Sequence, residues 1–208
     1  MIKTKYIIFD MEMLGLKKSD GTLSIGAVTE DDQCFYAEIS DFDKSSIGDW
    51  IKENVIANFI YNHVERFEYV IPDKHSTYKL PFIEVGEKFN EWIQDVSKGY
   101  DKIQFVADVS HYDFVHLIDM ITNKGSALDL DSKIIPDVIN ISQYLLLPNV
   151  RKELNIDDSE IAFDVSREGL YEYITGESSN HDSKHNALHD AFMCLIIFIK
   201  IKEILGLE

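Results

Sequence analysis

The sequence contains few residues that could cross-link the chain. Only two cysteines, Cys34 and Cys194, occur in 208 residues. Their wide separation excludes a zinc knuckle, and two isolated thiols are typical of a reducing compartment. We therefore predict that both thiols are free and pack in the core.

Long apolar runs are also missing. The longest, at residues 6–9 and 195–199, fall far short of the ~20 residues that a membrane-spanning helix needs. Acids at positions 10 and 12 end the first run before the apolar region of a signal peptide develops. These observations predict a cytoplasmic protein with no membrane association. The length suits a single domain over residues 1–208.

Basic residues are scarce relative to acidic ones. Twenty Lys and Arg stand against 37 Asp and Glu, which gives a formal net charge of −17. A protein that grips long nucleic acid by its phosphates needs a basic face, so the composition argues against a binder of long duplexes. It still allows an enzyme that acts on a short end, because bound Mg²⁺ ions would neutralise carboxylates locally.

Three strand-like stretches near the N-terminus predict an antiparallel meander. Lys5–Asp10 is a short apolar run that ends in an acid, and Thr22–Val28 and Cys34–Ile39 are two further apolar stretches. The polar turn Thr29–Asp32 lies between the second and the third, which favours a hairpin.

Helical periodicity dominates the rest of the chain. It is clearest in Glu84–Lys98, where the apolar residues recur on one face. One more strand is predicted at Ile103–Ala107. The other predicted helices are Ile47–Tyr61, Tyr112–Ile121, Ile141–Leu147, which Pro148 ends, and Lys184–Leu205. This order of elements predicts a mixed α/β architecture.

The first predicted strand ends in two acids. Asp10 and Glu12 are two positions apart, so on a strand their side chains point to the same side. Crowded carboxylates repel each other unless a cation lies between them, and hard divalent cations prefer oxygen ligands of this kind. The alternative is two solvated acids just beyond the strand.

The loop after the fourth strand carries more titratable residues. Asp108, His111 and Asp113 lie between that strand and the next predicted helix. They could supply metal ligands. Alternatively, Asp108 or Ser110 caps the helix, and Asp113 is simply a favourable acid in its first turn.

A third constellation opens the last predicted helix. His185 and Asp190 are five positions apart and would not share a helix face, but they could converge if His185 lies on the preceding loop. Asp190 precedes a nearly all-apolar stretch, so it needs a partner if it is buried. Two alternatives are a polar helix start with incidental histidines and a zinc-binding stripe of His181, His185 and His189.

Together, these motifs resemble the DEDDh exonuclease superfamily, which has a ribonuclease-H-like fold. Its three motifs are Asp-x-Glu ending the first strand, an aromatic-Asp pair opening a helix, and His-x4-Asp. The matching residues are Asp10 and Glu12, Tyr112 and Asp113, and His185 and Asp190, with Gly15, the Ser24–Val28 strand and Ala187 also similar. The Tyr-Asp form is most similar to the short bacterial and phage exoribonuclease-like branch. One departure is Met13, where many members have Thr or Ser; it affects substrate contacts more than metal ligands.

The resemblance implies a mechanism with two Mg²⁺ or Mn²⁺ ions. Asp10, Glu12, Asp113 and Asp190 would be the metal ligands, with Asp108 a rival to Asp113. Glu12 would thereby also be catalytic, and His185 would act as general base, since an imidazole suits proton transfer at neutral pH.

The resemblance also implies a substrate. This is the 3′ end of single-stranded nucleic acid, RNA more than DNA, with nucleoside 5′-monophosphates as products. Met13 and Tyr112 are candidate substrate contacts, and Phe82 and His111 are further candidates for lining the pocket. Dimers are common among such enzymes, which makes a homodimer possible. The rival functions are a non-catalytic binding module on the same fold and a phosphodiesterase of dinucleotides. Residues 58–81 receive no role.

Overall fold

A computed structural model describes residues 2–15, 17–62, 75–157, 159–161, 164–179 and 184–207. These residues form six strands and seven α-helices. The strands are β1 (Thr4–Met13), β2 (Thr22–Thr29), β3 (Cys34–Ile39), β4 (His75–Leu80), β5 (Lys102–Ala107) and β6 (Ile139–Asn140). The helices are α1 (Asp49–Asn54), α2 (Phe82–Val96), α3 (Ser110–Ile121), α4 (Ile141–Tyr144), α5 (Pro148–Glu153), α6 (Arg167–Thr175) and α7 (Ala187–Leu205).

The strands form one mixed sheet in the order β4-β3-β2-β1-β5-β6. β1, β2 and β3 make the predicted antiparallel meander, whereas β5 pairs with β1, β6 with β5 and β4 with β3 in parallel. The predicted architecture is therefore confirmed. No helix among the described residues is long and apolar enough to cross a membrane.

Side chains of β1 alternate between two hydrophobic cores, one on each face of the sheet, and this alternation determines the face on which the acidic pair lies. Ile7, Phe9 and Met11 pack with α2 and α3 on one face of the sheet, whereas Ile8 packs with α7 on the other. Because side chains alternate along a strand, Asp10 and Glu12 lie on the α7 face. Both cysteines are free and buried, as predicted.

Several sequence-based predictions of single elements were wrong. The helix expected over 47–61 ends at Asn54 and is followed by 3₁₀ turns, where the side chains of Asn54 and Asn58 donate to backbone carbonyls and compete with the helix. Pro148 begins α5 rather than only ending a helix, since a first-turn residue needs no N–H donor. The prediction also omitted β4, β6 and α6.

Candidate active site

The acidic pair lies where β1 meets the start of α7. Asp10 pairs with Gly26 of β2. A Cβ atom at Gly26 would overlap the backbone of Ala187 and Leu188, so only glycine lets the first turn of α7 lie directly on the sheet. This close approach brings Asp190 to the side of the sheet that carries Asp10 and Glu12.

The loop before α7 holds His185 in a left-handed conformation. Its φ is 62°, which is uncommon for a residue other than glycine. Asn186 caps α7 by accepting hydrogen bonds from the amides of Leu188 and His189. The Asn58 side chain donates to the Lys184 carbonyl at 2.7 Å, and the Asn186 side chain donates to the Asn58 carbonyl at 2.8 Å. The loop is therefore fixed from both sides.

Glu12, His185 and Asp190 converge in space. His185 Nδ1 lies 3.9 Å from Glu12 Oε1. One potential ligand atom of each of the three residues lies within 4.8 Å of those of the other two. Asp190 is 2% exposed, and its Oδ1 has no hydrogen-bond partner among the described residues. The predicted convergence of the first and third motifs is thus present.

The two acids of the second motif occupy different surroundings. The carboxylate of Asp113 is buried, accepts a hydrogen bond from the Met11 amide and interacts electrostatically with Asp10. Asp108 instead accepts from the Ser142 hydroxyl at 3.3 Å and pairs with Arg167. This difference favours Asp113 as the ligand, which stays a prediction.

Arg167, the first residue of α6, is a site residue that the sequence analysis missed. Its guanidinium pairs with Asp10 Oδ1 at 3.3 Å, Asp108 Oδ2 at 3.4 Å and Asp190 Oδ2 at 3.9 Å. No motif surrounds it in the sequence, and only the position of α6 relative to α7 brings it to the acids. A buried acid beside the apolar stretch of α7 did signal that some partner was needed.

The site holds more carboxyl groups than positive side chains, and most of their pKa values are raised. Burial raises the pKa of Asp10 to about 6 and that of Asp190 to about 8, although Arg167 opposes both shifts. Burial and the neighbouring acids also raise the pKa of Glu12 and Asp113 well above the usual range. Crowded hard oxygen donors and an unpartnered buried carboxylate oxygen fit a divalent cation such as Mg²⁺ or Mn²⁺.

The surroundings of His185 favour a neutral imidazole. Burial, Lys184 and Arg167 lower its pKa below the usual range. Its side chain is 28% exposed, so solvent reaches it at the group formed by Asp10, Glu12, His185 and Asp190, which we call the cleft. The exposed ring of Trp50 on α1 packs edge-on against it, with ring centroids 5.2 Å apart. The sequence analysis missed Trp50, which lies within the helix predicted over residues 47–61.

The zinc stripe does not form in the predicted way. His185 precedes α7, so it cannot share a helix face with His189, which is buried within α7. His181, the third histidine of that stripe, lies outside the described residues.

The predicted substrate contacts lie at the ends of two elements. Met13 is the last residue of β1, after a bulge, and it is partly buried. Tyr112, in the first turn of α3, is 38% exposed and packs on His111 with ring centroids 4.2 Å apart. Phe82 begins α2 and packs in the core beside α3. These contacts stay predictions, and much of the segment 58–81 lies outside the described residues.

Known proteins share this fold and sequence pattern. Residues 5–201 match the family described as the 3′-5′ exoribonuclease Rv2179c-like domain. The structure is similar to that of S. pombe Pop2p in a Mg²⁺- and Mn²⁺-bound form, with a TM-score of 0.50 and 12% identity over 95% of this chain and 82% of that chain. It is also similar to cell-death related nuclease 4 (CRN-4), with a TM-score of 0.55 and 13% identity over 97% of this chain. The chain spans 64% of the length of CRN-4. No curated protein sequence matches significantly. The two structures confirm the predicted ribonuclease-H-like fold.

Proposed function

The chain belongs to the 3′-5′ exoribonuclease Rv2179c-like domain family, and from this premise we propose that it is a metal-dependent 3′→5′ exonuclease. It hydrolyses phosphodiester bonds at the 3′ end of single-stranded nucleic acid, RNA in preference to DNA, and releases nucleoside 5′-monophosphates. The preference for RNA rests on the family description alone. A cytoplasmic location, a single domain over residues 1–208 and a homodimer stay predictions.

One observation carries this proposal. Acids and a histidine from β1 and from the start of α7 meet in one cleft, with ligand atoms of Glu12, His185 and Asp190 within 4.8 Å of one another. Burying these acids together is costly without cations: burial, and to a smaller extent Asp10, raises the pKa of Asp190 to about 8. A purely structural cluster would gain nothing from burying these acids together.

The carboxylates have distinct proposed roles. Asp10 is central, since it interacts electrostatically with both Glu12 and Asp190. Glu12 and Asp190 lie on the His185 side of the cleft and would hold a cation there. Asp113 would serve a second cation from the α3 side. A bound divalent cation supplies Lewis-acid chemistry, polarising a water molecule and a phosphate oxygen.

His185 is the proposed general base. Its lowered pKa keeps the imidazole neutral at physiological pH, so it can accept the proton of the attacking water. The left-handed backbone and the contact with Trp50 fix the ring beside Glu12. Neighbouring carboxylates would be poorer bases once cations stabilise their ionised forms.

Trp50 is the proposed platform for a nucleobase. Its side chain is 56% exposed and lies at the rim of the cleft, against the proposed base. Exposed aromatic rings bind single-stranded nucleic acid by stacking, which compensates for a lack of basic residues. This recognition suits a protein with a net charge of −17.

Two rival functions use the same cleft. A non-catalytic binding module would bind nucleic acid without releasing monophosphates. A dinucleotide phosphodiesterase would hydrolyse dinucleotides faster than longer oligomers. Incubation of single-stranded RNA oligomers of two to twenty nucleotides with the protein and Mn²⁺ tests all three. The proposed function predicts stepwise monophosphate release from the longer oligomers. Binding without release would support the non-catalytic module, and faster hydrolysis of dinucleotides would support the phosphodiesterase.

A further inference from the structure

Arg167 uses separate atoms of its guanidinium for separate acids. Nη1 pairs with Asp10, Nε with Asp108 and Nη2 with Asp190, at 3.3, 3.4 and 3.9 Å. Two of these partners, Asp10 and Asp190, are proposed metal ligands, whereas Asp108 is not. The guanidinium therefore lies between the proposed metal ligands on one side and Asp108 on the other.

A guanidinium and a divalent cation compete for these carboxylates. An arginine side chain stays positively charged, so it repels an incoming cation and competes for the same oxygen atoms. Asp190 Oδ1 is unpartnered, but the other oxygen, Oδ2, faces Arg167. A bound cation would draw Asp10 and Asp190 away from the guanidinium.

We propose that Arg167 is a mobile cation of the site, which pairs with Asp10 and Asp190 before metal binds and contacts the phosphate of the bound strand afterwards. This inference rests on the proposed function, because it takes Asp10 and Asp190 as metal ligands. Arginine suits the second role, since its planar donors match two phosphate oxygens.

The structure provides an anchor for this movement and leaves the Arg167 side chain partly exposed. Asp108 is held by the Ser142 hydroxyl and lies at the margin of the cleft, so it can retain the Arg167 side chain. Arg167 itself is 26% exposed. Its backbone stays in place, because Ser166 caps α6 and Glu168 pairs with Lys184 of the His185 loop at 3.0 Å.

Opposite changes in two affinities test the inference. In Arg167→Gln, Mn²⁺ should bind roughly tenfold more tightly, because the competing cation is gone. Adenosine 5′-monophosphate at saturating Mn²⁺ should bind roughly tenfold more weakly, because a phosphate contact is lost. Calorimetric titration of each ligand measures both. A variant with merely damaged structure would lose affinity for both ligands.

Two further variants control for charge and folding. Lys98→Gln removes the same charge from an exposed side chain on the surface, paired with Asp95, and should leave both affinities unchanged. Arg167→Lys retains a positive charge, and should bind Mn²⁺ more weakly and the monophosphate more tightly than Arg167→Gln does. If Arg167→Gln folds poorly, Arg167→Lys is compared with the wild type instead, and it should bind the monophosphate more weakly because lysine lacks the planar pair of donors.

The possible failures are distinguishable. An unchanged or weaker Mn²⁺ affinity in Arg167→Gln would overturn the displacement, and an unchanged monophosphate affinity would overturn the phosphate contact. Wild-type protein that binds no Mn²⁺ would overturn the proposed function itself, and with it this inference. The wild-type titration gives that result before any variant is examined.

Discussion

His185 Nδ1 lies 3.9 Å from Glu12 Oε1, which places an imidazole against a carboxylate of the cleft. His185→Asn should lower turnover by roughly 10²–10⁴, because the general base is lost. Asparagine is the suitable replacement, since it tolerates the left-handed backbone at φ 62° better than alanine does. Single-turnover hydrolysis of an RNA oligomer at saturating Mn²⁺ measures the effect.

Mn²⁺ titration of the same variant separates a base from a ligand. As a base, His185 can be replaced with little change in Mn²⁺ affinity. A large loss of that affinity would make His185 a metal ligand and contradict the proposed role.

Asp190→Asn should abolish hydrolysis while it stabilises the metal-free protein. The folded-state pKa of Asp190, about 8, lies above its ordinary value of 3.8, so the folded protein binds a proton that the unfolded chain releases. The stability of the wild type therefore falls as the pH rises from about 4 to about 8, and the variant avoids this loss. We expect a gain of about 1 kcal/mol, or ~2–4 °C in Tm, at pH 8.5.

Thermal unfolding in EDTA at pH 5 and pH 8.5 checks the sign. The gain should be smaller at pH 5, where Asp190 of the folded wild type is protonated. Asp10→Asn should also abolish hydrolysis without unfolding the protein. Normal turnover in either variant would refute the ligand assignment.

The site was predictable from sequence where short motifs end strong elements. Asp10 and Glu12 close an apolar strand, and Asp190 begins a long apolar helix, so the apolar pattern predicted that each motif lies at the end of an element. The sequence analysis recognised Gly26 only as part of a strand that resembles the family's. Its role in letting α7 lie close to the sheet depends on the backbone of α7, which the sequence does not show.

Gly26→Ala should disturb the cleft from a distance. The added methyl group overlaps the backbone at Ala187 and Leu188, and overpacking of this kind costs about 1–3 kcal/mol. Because α7 must shift, Asp190 moves relative to Asp10, and turnover should fall more than stability alone explains. Turnover at a temperature where the variant stays folded measures this.

Gly48→Ala is the matched control for that variant. A Cβ atom at Gly48 has nothing within 4 Å, and its φ of −74° suits any residue. Equal turnover of Gly26→Ala and Gly48→Ala would contradict the proposed packing of α7.

Trp50→Ala should weaken binding of single-stranded oligomers by roughly tenfold, through loss of base stacking. The chain has two tryptophans, and Trp92 is only 6% exposed. Quenching of tryptophan fluorescence by an added nucleotide should therefore come from Trp50. Tyr173→Ala removes a similarly exposed aromatic ring, 55% exposed, and should leave oligomer affinity unchanged. Quenching that persists in Trp50→Ala would contradict the proposed stacking of a nucleobase on Trp50.

Other parts of the molecule were beyond prediction for physical reasons. β4, with the sequence His-Ser-Thr-Tyr-Lys-Leu, is a polar edge strand with no apolar run to mark it. β6 has two residues, which is too short for any periodic signal. Arg167 reaches the acids through tertiary packing of α6 on α7, and no local pattern encodes that contact.

Product analysis of one single-stranded RNA oligomer, labelled separately at each end, tests the central claim most directly. With Mg²⁺, the 3′ label should appear at once in a nucleoside 5′-monophosphate, and the 5′ label should pass through a ladder of fragments that shorten one nucleotide at a time. Asp190→Asn should leave both labels in the intact oligomer. Internal fragments, shortening from the 5′ end, or equal activity in EDTA would contradict a metal-dependent 3′→5′ exonuclease.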